Sequence, residues 1–327
     1  MLVPTMAATP RAATAGESFF VRAALTNVSP RRQPQVEHFF DPETSTLTYL
    51  VFDPETRDAV VIDPVMDFDA ASGRTSAAST DRIAGAITHH HLTLHYSLET
   101  HAHADHLSGA QHLRRLFDAK VAIGERITEV QATFKPIFDL PAGFAPDGSQ
   151  FDRLLRDGET VYAGALAVDV IATPGHTPAC VSYLIGDAVF TGDALFVEDS
   201  GTGRCDFPRG DAEALFHSIH DRLYALPGDT RVFVGHDYQP NGRALAFETT
   251  IERERQHNIQ LTSATTAAEF VAFRVARDRT LCAPKLLLPS IQVNVDAGRL
   301  PPADPRGRRY LRLPVNLGAA TLDDGST

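Results

Sequence analysis

The stretch Thr100-His101-Ala102-His103-Ala104-Asp105-His106 places three histidines and an aspartate within seven residues. Imidazole nitrogen and carboxylate oxygen together suit a borderline metal such as zinc or iron. On a β-strand these side chains would alternate between faces and could not converge on one point. On a loop that turns into a helix they can, because the backbone folds near neighbours back toward one another. A solvated polar loop would account for two histidines, but matching residues recur downstream. Gly175-His176, Gly192-Asp193 and Gly235-His236 each set a ligand type directly after a glycine, whose freedom allows a sharp turn and a close approach to an ion.

These segments each follow a run that reads as a strand. Ligands on loops at the ends of rigid strands make a preorganised site. Leu94 to Glu99 is predicted as the buried strand that delivers the histidine-rich loop. Upstream, Thr46 to Phe52 and Ala59 to Ile62 read as strands joined by the turn-prone Asp53-Pro54-Glu55-Thr56. Met66 to Ser79, small and polar, is predicted as a loop. A short helix is predicted from about Thr80 to His89-His90-His91. Cations are favourable at a helix C-terminus, so that triplet reads as a solvated helix end rather than a metal site. Leu107, Ala110, Leu113, Leu116 and Phe117 stand at helical spacing. Lys120 to Ile123 then reads as a strand, Ile127 to Phe134 as a helix and Pro141 to Ser149 as a loop.

Further strands are predicted near Val161 and from Val168 to Ala172. Val181 to Ile185 and Ala188 to Phe190 suggest a hairpin through Gly186-Asp187. Ala212, Leu215, Phe216, Ile219, Leu223 and Leu226 mark an amphipathic helix, and Arg231 to Val234 is the last clear core strand. Strands and helices alternate, yet several strands meet in hairpins. That mixture, α+β in part and α/β in part, predicts sheets packed on each other with helices outside, not a doubly wound parallel sheet.

The chain has 327 residues, 43% hydrophobic and 22% charged, enough apolar material for one large domain or two moderate ones. No run approaches the roughly eighteen apolar residues of a membrane span. A formal net charge of −11 argues against nucleic acid, which needs basic surface. An anionic substrate would need a few local arginines working against that field. The three cysteines, Cys180, Cys205 and Cys282, are odd in number and widely spaced, which suits a reducing compartment and excludes a disulfide scaffold.

Residues 1–34 stand apart: Arg11, Arg22, Arg31 and Arg32 face a single acid, Glu17. That composition fits a disordered extension, an over-called start or an organellar targeting segment, and lacks a secretory signal's apolar stretch. The main domain is expected over 35–280. Residues 281–327, rich in Pro, Arg and Asp with an apolar patch at Leu286 to Leu288, are expected to wrap it and fray after Leu317.

The order and spacing of the four ligand segments resembles the metallo-β-lactamase superfamily, over roughly Glu37 to Asn258. The resemblance implies an αββα sandwich with metal at one edge of its two sheets. Thr100 to Gly109 (THAHADHLSG), Thr173 to Pro178 (TPGHTP), Gly192 to Phe196, Gly203 to Phe207 and Gly235 to Tyr238 are similar to the persulfide dioxygenase branch. That branch oxidises glutathione persulfide with O₂ to sulfite and glutathione. Bacterial β-lactamase-like sulfide-detoxification proteins share the segment Gly203 to Pro208.

Carried over by position, one Fe(II) per chain would be held by His101, His176 and Asp193, and three coordination positions would stay open for sulfur and O₂. His103, Asp105, His106 and His236 would stand behind these ligands, or complete a second metal site as in the hydrolase branches. Arg204 would hold a glutathione carboxylate or orient Asp206 beside the metal. Its simpler role is an Arg–Asp pair locking a loop. Tyr238 could hydrogen-bond glutathione or pack on the sheet edge. Arg255 resembles an arginine near the glutathione carboxylates, the plainer reading being a solvated helix with ion pairs. Cys205 stands where threonine is common; a thiol beside iron could accept sulfur or be oxidised, whereas a free cysteine more often packs as a small hydrophobe. Cys180 reads as core, Cys282 has no context that makes it reactive, and Asp63 is expected to support the metal loops.

The resemblance thus implies a mononuclear iron oxygenase acting on glutathione persulfide. The alternative is a glyoxalase II-type thioesterase with two zinc ions or a mixed zinc–iron pair, whose bound hydroxide attacks the thioester. The segment Gly203 to Phe207 favours the first. A non-catalytic metal or persulfide sensor is the reading from another class, and retention of all seven ligand-type residues argues against it. Nothing suggests secretion, which weighs against a β-lactamase. The family tendency is a homodimer. The expected location is bacterial cytoplasm, with the mitochondrial matrix as the alternative.

Overall fold

The computed structural model describes residues 33–315; nearly all of the amino-terminal extension and the fraying expected after Leu317 lie outside the described residues. Strands β1 (Gln35–Asp41), β2 (Thr46–Phe52) and β3 (Asp58–Ile62) form antiparallel neighbours. A hairpin of β4 (Val65–Asp69) and β5 (Arg74–Ser76) follows, then α1 (Ala78–His89), β6 (Thr93–Glu99), β7 (Leu107–Ser108) and α2 (Ala110–Phe117). Next come β8 (Lys120–Gly124), α3 (Ile127–Ile137), β9 (Arg153–Leu155), β10 (Thr160–Ala163), β11 (Leu166–Ala172), β12 (Val181–Ile185) and β13 (Ala188–Phe190). The chain continues with α4 (Ala212–His217), β14 (Arg231–Phe233), β15 (Glu248–Thr250), α5 (Ile251–His257), α6 (Ala267–Asp278) and α7 (Leu287–Asn294).

Two six-stranded sheets result, ordered β1-β2-β3-β6-β8-β9 and β10-β11-β12-β13-β14-β15, with a small β5-β4-β7 sheet beside them. All seven residues of β2 are buried, because this strand is covered on both faces. Leu47, Tyr49 and Val51 enter the core between the sheets, whereas Leu50 and Phe52 pack outward against Ile83 and Ile87 of α1 and Leu113 of α2. On β6 the alternation breaks: Leu94 belongs to the outer cluster and Tyr96 and Leu98 to the inner one. A register shift explains this, since Ala59 pairs with Leu94 but Val60 pairs with Tyr96. The extra residue, His95, bulges out and meets Asp58 at 2.6 Å. The bulge restores the phase that brings Glu99 and the histidine-rich loop to the sheet edge. Leu215 of α4 and Phe270 of α6 join the core from the second sheet's side, completing the expected αββα layering.

Several expectations need correction. The predicted loop Met66 to Ser79 contains the β4–β5 hairpin, and β4 pairs with β7 through Val65–Ser108 and Met66–Leu107. Leu107 is therefore strand, and the helix begins only at Ala110. The β4–β7 pairing joins residues far apart in sequence, which no local pattern signals. Arg231 to Val234 supplies Val232, Phe233 and Val234 to the core, and a short edge strand, β15, pairs with β14 beyond it without adding to that core. The helix expected over Ala212 to Leu226 is α-helical to His217 and widens into a π-helical stretch over Ser218–Leu223. The triplet His89 to His91 sits at the end of α1, where His90 Nε2 meets Glu37 at 2.6 Å. No helix among the described residues is long and apolar enough to cross a membrane.

Leu98, fully buried at the end of β6, ties the sandwich core to the ligand loop. Leu98→Ala should destabilise the fold by about 2–5 kcal/mol through lost burial and a cavity, read as a lower urea midpoint at unchanged m-value.

Candidate metal centre

The histidine-rich loop leaves the end of β6 and is fixed from below by Asp63. This residue, at φ 51° just past β3, accepts the backbone N–H of Thr100 at 2.7 Å and its hydroxyl at 2.8 Å. The Thr100 hydroxyl donates to Asp63, so it accepts from His101 Nδ1, 3.0 Å away. His101 Nε2 is thereby left as a bare lone pair, buried and without a hydrogen-bond partner. His176 is prepared in the same way. Its Nδ1–H donates to the carbonyl of Arg204 at 2.6 Å, and its Nε2 faces Asp193 Oδ2 at 3.7 Å. Asp193 Oδ2 lies 4.0 Å from His101 Nε2. One ligand atom from each of His101, His176 and Asp193 lies within 4.8 Å of the others, and all three residues are buried. Gly192 permits this convergence: it adopts φ 51°, and a Cβ there would meet Thr100 Oγ1 at 2.4 Å.

The remaining residues gather beside this trio. His236 donates from Nδ1 to the carbonyl of Ser45 at 3.1 Å, and its Nε2 stands 3.3 Å from both Asp105 Oδ2 and Asp193 Oδ1. His106 donates from Nδ1 to Asp105 Oδ2 at 3.1 Å, and its Nε2 has no hydrogen-bond partner. His103, Asp105 and His106 form a second group whose ligand atoms lie within 4.8 Å of one another. His103 Nε2 faces Asp63 Oδ1 at 3.0 Å and Glu99 Oε2 at 3.3 Å.

Burial holds His101 well below the ordinary imidazole range, reinforced by its neighbours His103 and His176. Burial also lowers His176, against the pull of Asp193. In His103 the burial penalty is outweighed by Asp63 and Glu99, which raise it well above that range. His236 is raised likewise, by Asp193 and Asp105 against burial. The orphaned atoms on His101, His106 and Asp193 fit a cation: buried polar atoms are normally paired, and neutral imidazole with carboxylate is a metal donor set.

A pocket of about 1200 Å³ opens over the cluster and is lined by Asp105, His176, Asp193, Arg204, His236 and Tyr238 among others. Arg204 forms a bidentate pair with Asp206, at 2.6 Å from both Nε and Nη2, and donates from Nη1 to the Cys282 carbonyl at 2.7 Å. Both Asp206 oxygens are engaged in this pair. Tyr238 stacks on the His236 ring at 5.4 Å and keeps 59% of its surface exposed. Arg255 corrects an expectation, because it does not line the pocket. Its guanidinium is held by the carbonyls of Tyr224 and Leu226 and by Glu252, so a short helix beneath the second sheet uses it structurally. Cys205 is buried, with its thiol pushed up by burial. Cys180 is core, its thiol pushed up to about 12 by burial. Cys282 is exposed and lines the pocket.

Two groups escaped the sequence. Glu99 ends a buried strand, and an acid there was a readable signal. Asn294, the last residue of α7, gave none. Its side-chain amide donates to the carbonyls of His103 and His106, both at 2.8 Å, and its oxygen accepts Ser108 N–H at 2.8 Å. One residue of the C-terminal segment thus clamps the ligand loop from outside. Asn294→Ala would strand three buried backbone groups at about 1–3 kcal/mol each. A stability loss of roughly 3 kcal/mol or more in urea unfolding, together with lower bound metal, is expected; an unchanged midpoint would exclude the clamp.

Similarity to known proteins agrees with this geometry. The chain is 46% identical over 291 residues to a probable metallo-hydrolase of Burkholderia pseudomallei, covering 86% of this chain and 99% of that one. It is 35% identical over 229 residues to the human mitochondrial persulfide dioxygenase ETHE1, covering 69% and 76% of the two chains. The crystal structure of ETHE1 from Myxococcus xanthus superposes with a TM-score of 0.64 at 35% identity, over 81% of this chain and 100% of that chain. Residues 41–236, from the end of β1 to the last histidine of the cluster, match the metallo-β-lactamase superfamily as a whole, and the chain belongs to it.

Proposed function

We propose that this enzyme is a persulfide dioxygenase that converts glutathione persulfide and O₂ to sulfite and glutathione, with one non-haem Fe(II) held by His101, His176 and Asp193. The observation that carries this reading is the composition of the innermost trio: two imidazoles and one carboxylate, with free ligand atoms within 4.8 Å of one another. An iron held by these three residues would leave room for a sulfur anion and O₂ to bind and would supply the electrons that activate oxygen.

The chain's own residues prepare that chemistry. The Thr100 hydroxyl and the Arg204 carbonyl each accept a hydrogen bond from one ring N–H, so that His101 and His176 turn a lone pair inward. Burial keeps both rings neutral, as ligands must be. Phe207 packs edge-on against His176 at 5.0 Å, and Phe196 lies edge-on to His236 at 6.1 Å, so apolar surface flanks the cluster and limits water. The pocket is roomy enough for a tripeptide thiol, and the relatives named as persulfide dioxygenases support the substrate class.

A hydrolase with two metals is the second reading. It is favoured by His236 Nε2 standing 3.3 Å from both Asp105 and Asp193, which would let Asp193 be shared by a second ion. Two relatives at 46% identity are named a probable metallo-hydrolase and a glyoxylase B2.

Protein purified without added metal should contain about one iron per chain and consume O₂ only when glutathione persulfide is supplied. His101→Ala should abolish both metal binding and O₂ uptake. Two metals per chain, with hydrolysis of S-lactoylglutathione and no O₂ uptake, would establish the hydrolase instead.

A further inference from the structure

The strip Thr202-Gly203-Arg204-Cys205 is wedged between two of the proposed ligands. Thr202 forms a bridge with Leu195, two residues beyond Asp193. Gly203 lies so close that a Cβ on it would come within 1.9 Å of the Asp193 carbonyl oxygen and 3.5 Å of His176 Cβ. The Arg204 carbonyl receives the His176 Nδ1–H at 2.6 Å. Movement of the strip toward Asp193 would press on its carbonyl, and movement away from His176 would loosen the hydrogen bond that orients that ring.

The strip is held by two residues of α6. Asp278 accepts the Cys205 N–H at 2.8 Å. Arg274 donates from Nη1 to the Thr202 carbonyl at 3.1 Å and to Gln260 Oε1 at 3.0 Å, and Gln260 Oε1 accepts the Thr202 N–H at 3.0 Å. Arg274 and Asp278 are joined at 2.7 Å and are only 2% and 5% exposed. As helix chemistry this pair is set the wrong way round. The acid follows the base by four residues and closes the last turn, where the helix dipole disfavours negative charge. Burying both ions also costs solvation that a surface pair would keep. Helix stability does not account for the pair; its hydrogen bonds to the strip do.

We propose that Arg274 and Asp278 are positioning residues of the metal centre, fixing His176 and Asp193 through the strip 202–205. The proposal rests on the metal centre described above and holds for oxygenase and hydrolase alike. A merely structural pair would affect stability and leave the geometry of a bound ion alone. A strut to the ligands alters that geometry even where the fold survives.

The test uses the full chain loaded with Co(II), whose visible bands report ligand geometry. Asp278→Asn keeps the volume and removes the charge; Arg274→Lys keeps the charge and removes the fork. Asp278→Asn should shift the Co(II) bands and weaken Co(II) binding roughly tenfold, as outer-shell changes do, while circular dichroism stays that of the folded protein. Arg274→Lys should move the bands the same way by a smaller amount, and it carries the test if Asp278→Asn does not fold. Unchanged bands and unchanged Co(II) affinity in either folded variant would overturn the proposal. His176→Ala is the reference. If it too leaves the wild-type Co(II) spectrum unaltered, the metal-centre reading itself fails; if it alters the spectrum while the α6 variants do not, only the strut fails.

Discussion

A neutral imidazole carries one proton, so one ring nitrogen donates while the other presents a lone pair. The site depends on this constraint. A backbone carbonyl can only accept, so Arg204 O and Ser45 O force the protons of His176 and His236 onto Nδ1 and turn each Nε2 inward. Asp105 does the same for His106, and Thr100, committed as a donor to Asp63, does it for His101. The acceptors come from four places: the turn after β1, the start of the ligand loop, Asp105 within it and the strip after Asp193. A ring tilted off its backing acceptor would lose both its orientation and its tautomer. The sandwich must therefore place backing groups and ligands with equal accuracy.

Strand ends meet that demand because the core behind them is dry and continuous. Tyr49 and Tyr183, both in the core between the sheets, each donate a hydroxyl across it, to the Val234 carbonyl beside Gly235-His236 and to the Glu99 carbonyl beside Thr100-His101. Each phenol thus ties one sheet to a ligand loop of the other. The bulge at His95 has a comparable effect on β6: without it, Tyr96 and Leu98 would face the helices and the loop would emerge on the wrong side. Packing and site geometry are one problem in this molecule.

How much of this was legible in the sequence follows from distance along the chain. His101 to His106 announce themselves because the residues are contiguous, and Gly175-His176, Gly192-Asp193 and Gly235-His236 because a glycine marks each close turn. The strands of the two large sheets were readable from apolar runs. The β4–β5 hairpin was not, since β4 is only half-apolar and its partner β7 lies some forty residues away in sequence. Arg255 misled for the opposite reason: it sits in a charged helical run, and whether an arginine points to a pocket or to the carbonyls of Tyr224 and Leu226 is decided by tertiary placement. Asn294, Arg274 and Asp278 reach the centre only through backbone atoms of other segments, and a backbone contact leaves no trace in residue identity.

The electrostatics divide the cluster in a way the bare motif does not. Four acids, Asp63, Glu99, Asp105 and Asp193, are brought against five histidines, and burial makes every unbalanced charge costly. Carboxylates raise His103 and His236, whereas burial and like neighbours lower His101 and His176. Groups whose affinities for protons are pushed apart this way take different roles. The lowered pair favours the neutral form that offers a lone pair to a cation, and the raised pair sits among the acids that attract positive charge. Two histidines of one seven-residue motif, His101 and His103, thus fall on opposite sides of the division because His103 meets the carboxylates of Asp63 and Glu99 while His101 Nδ1 meets the neutral Thr100 hydroxyl. Asp63 stands under both, tied to His101 through the Thr100 hydroxyl and facing His103 directly, so the carboxylate that orients the one ring also charges the other.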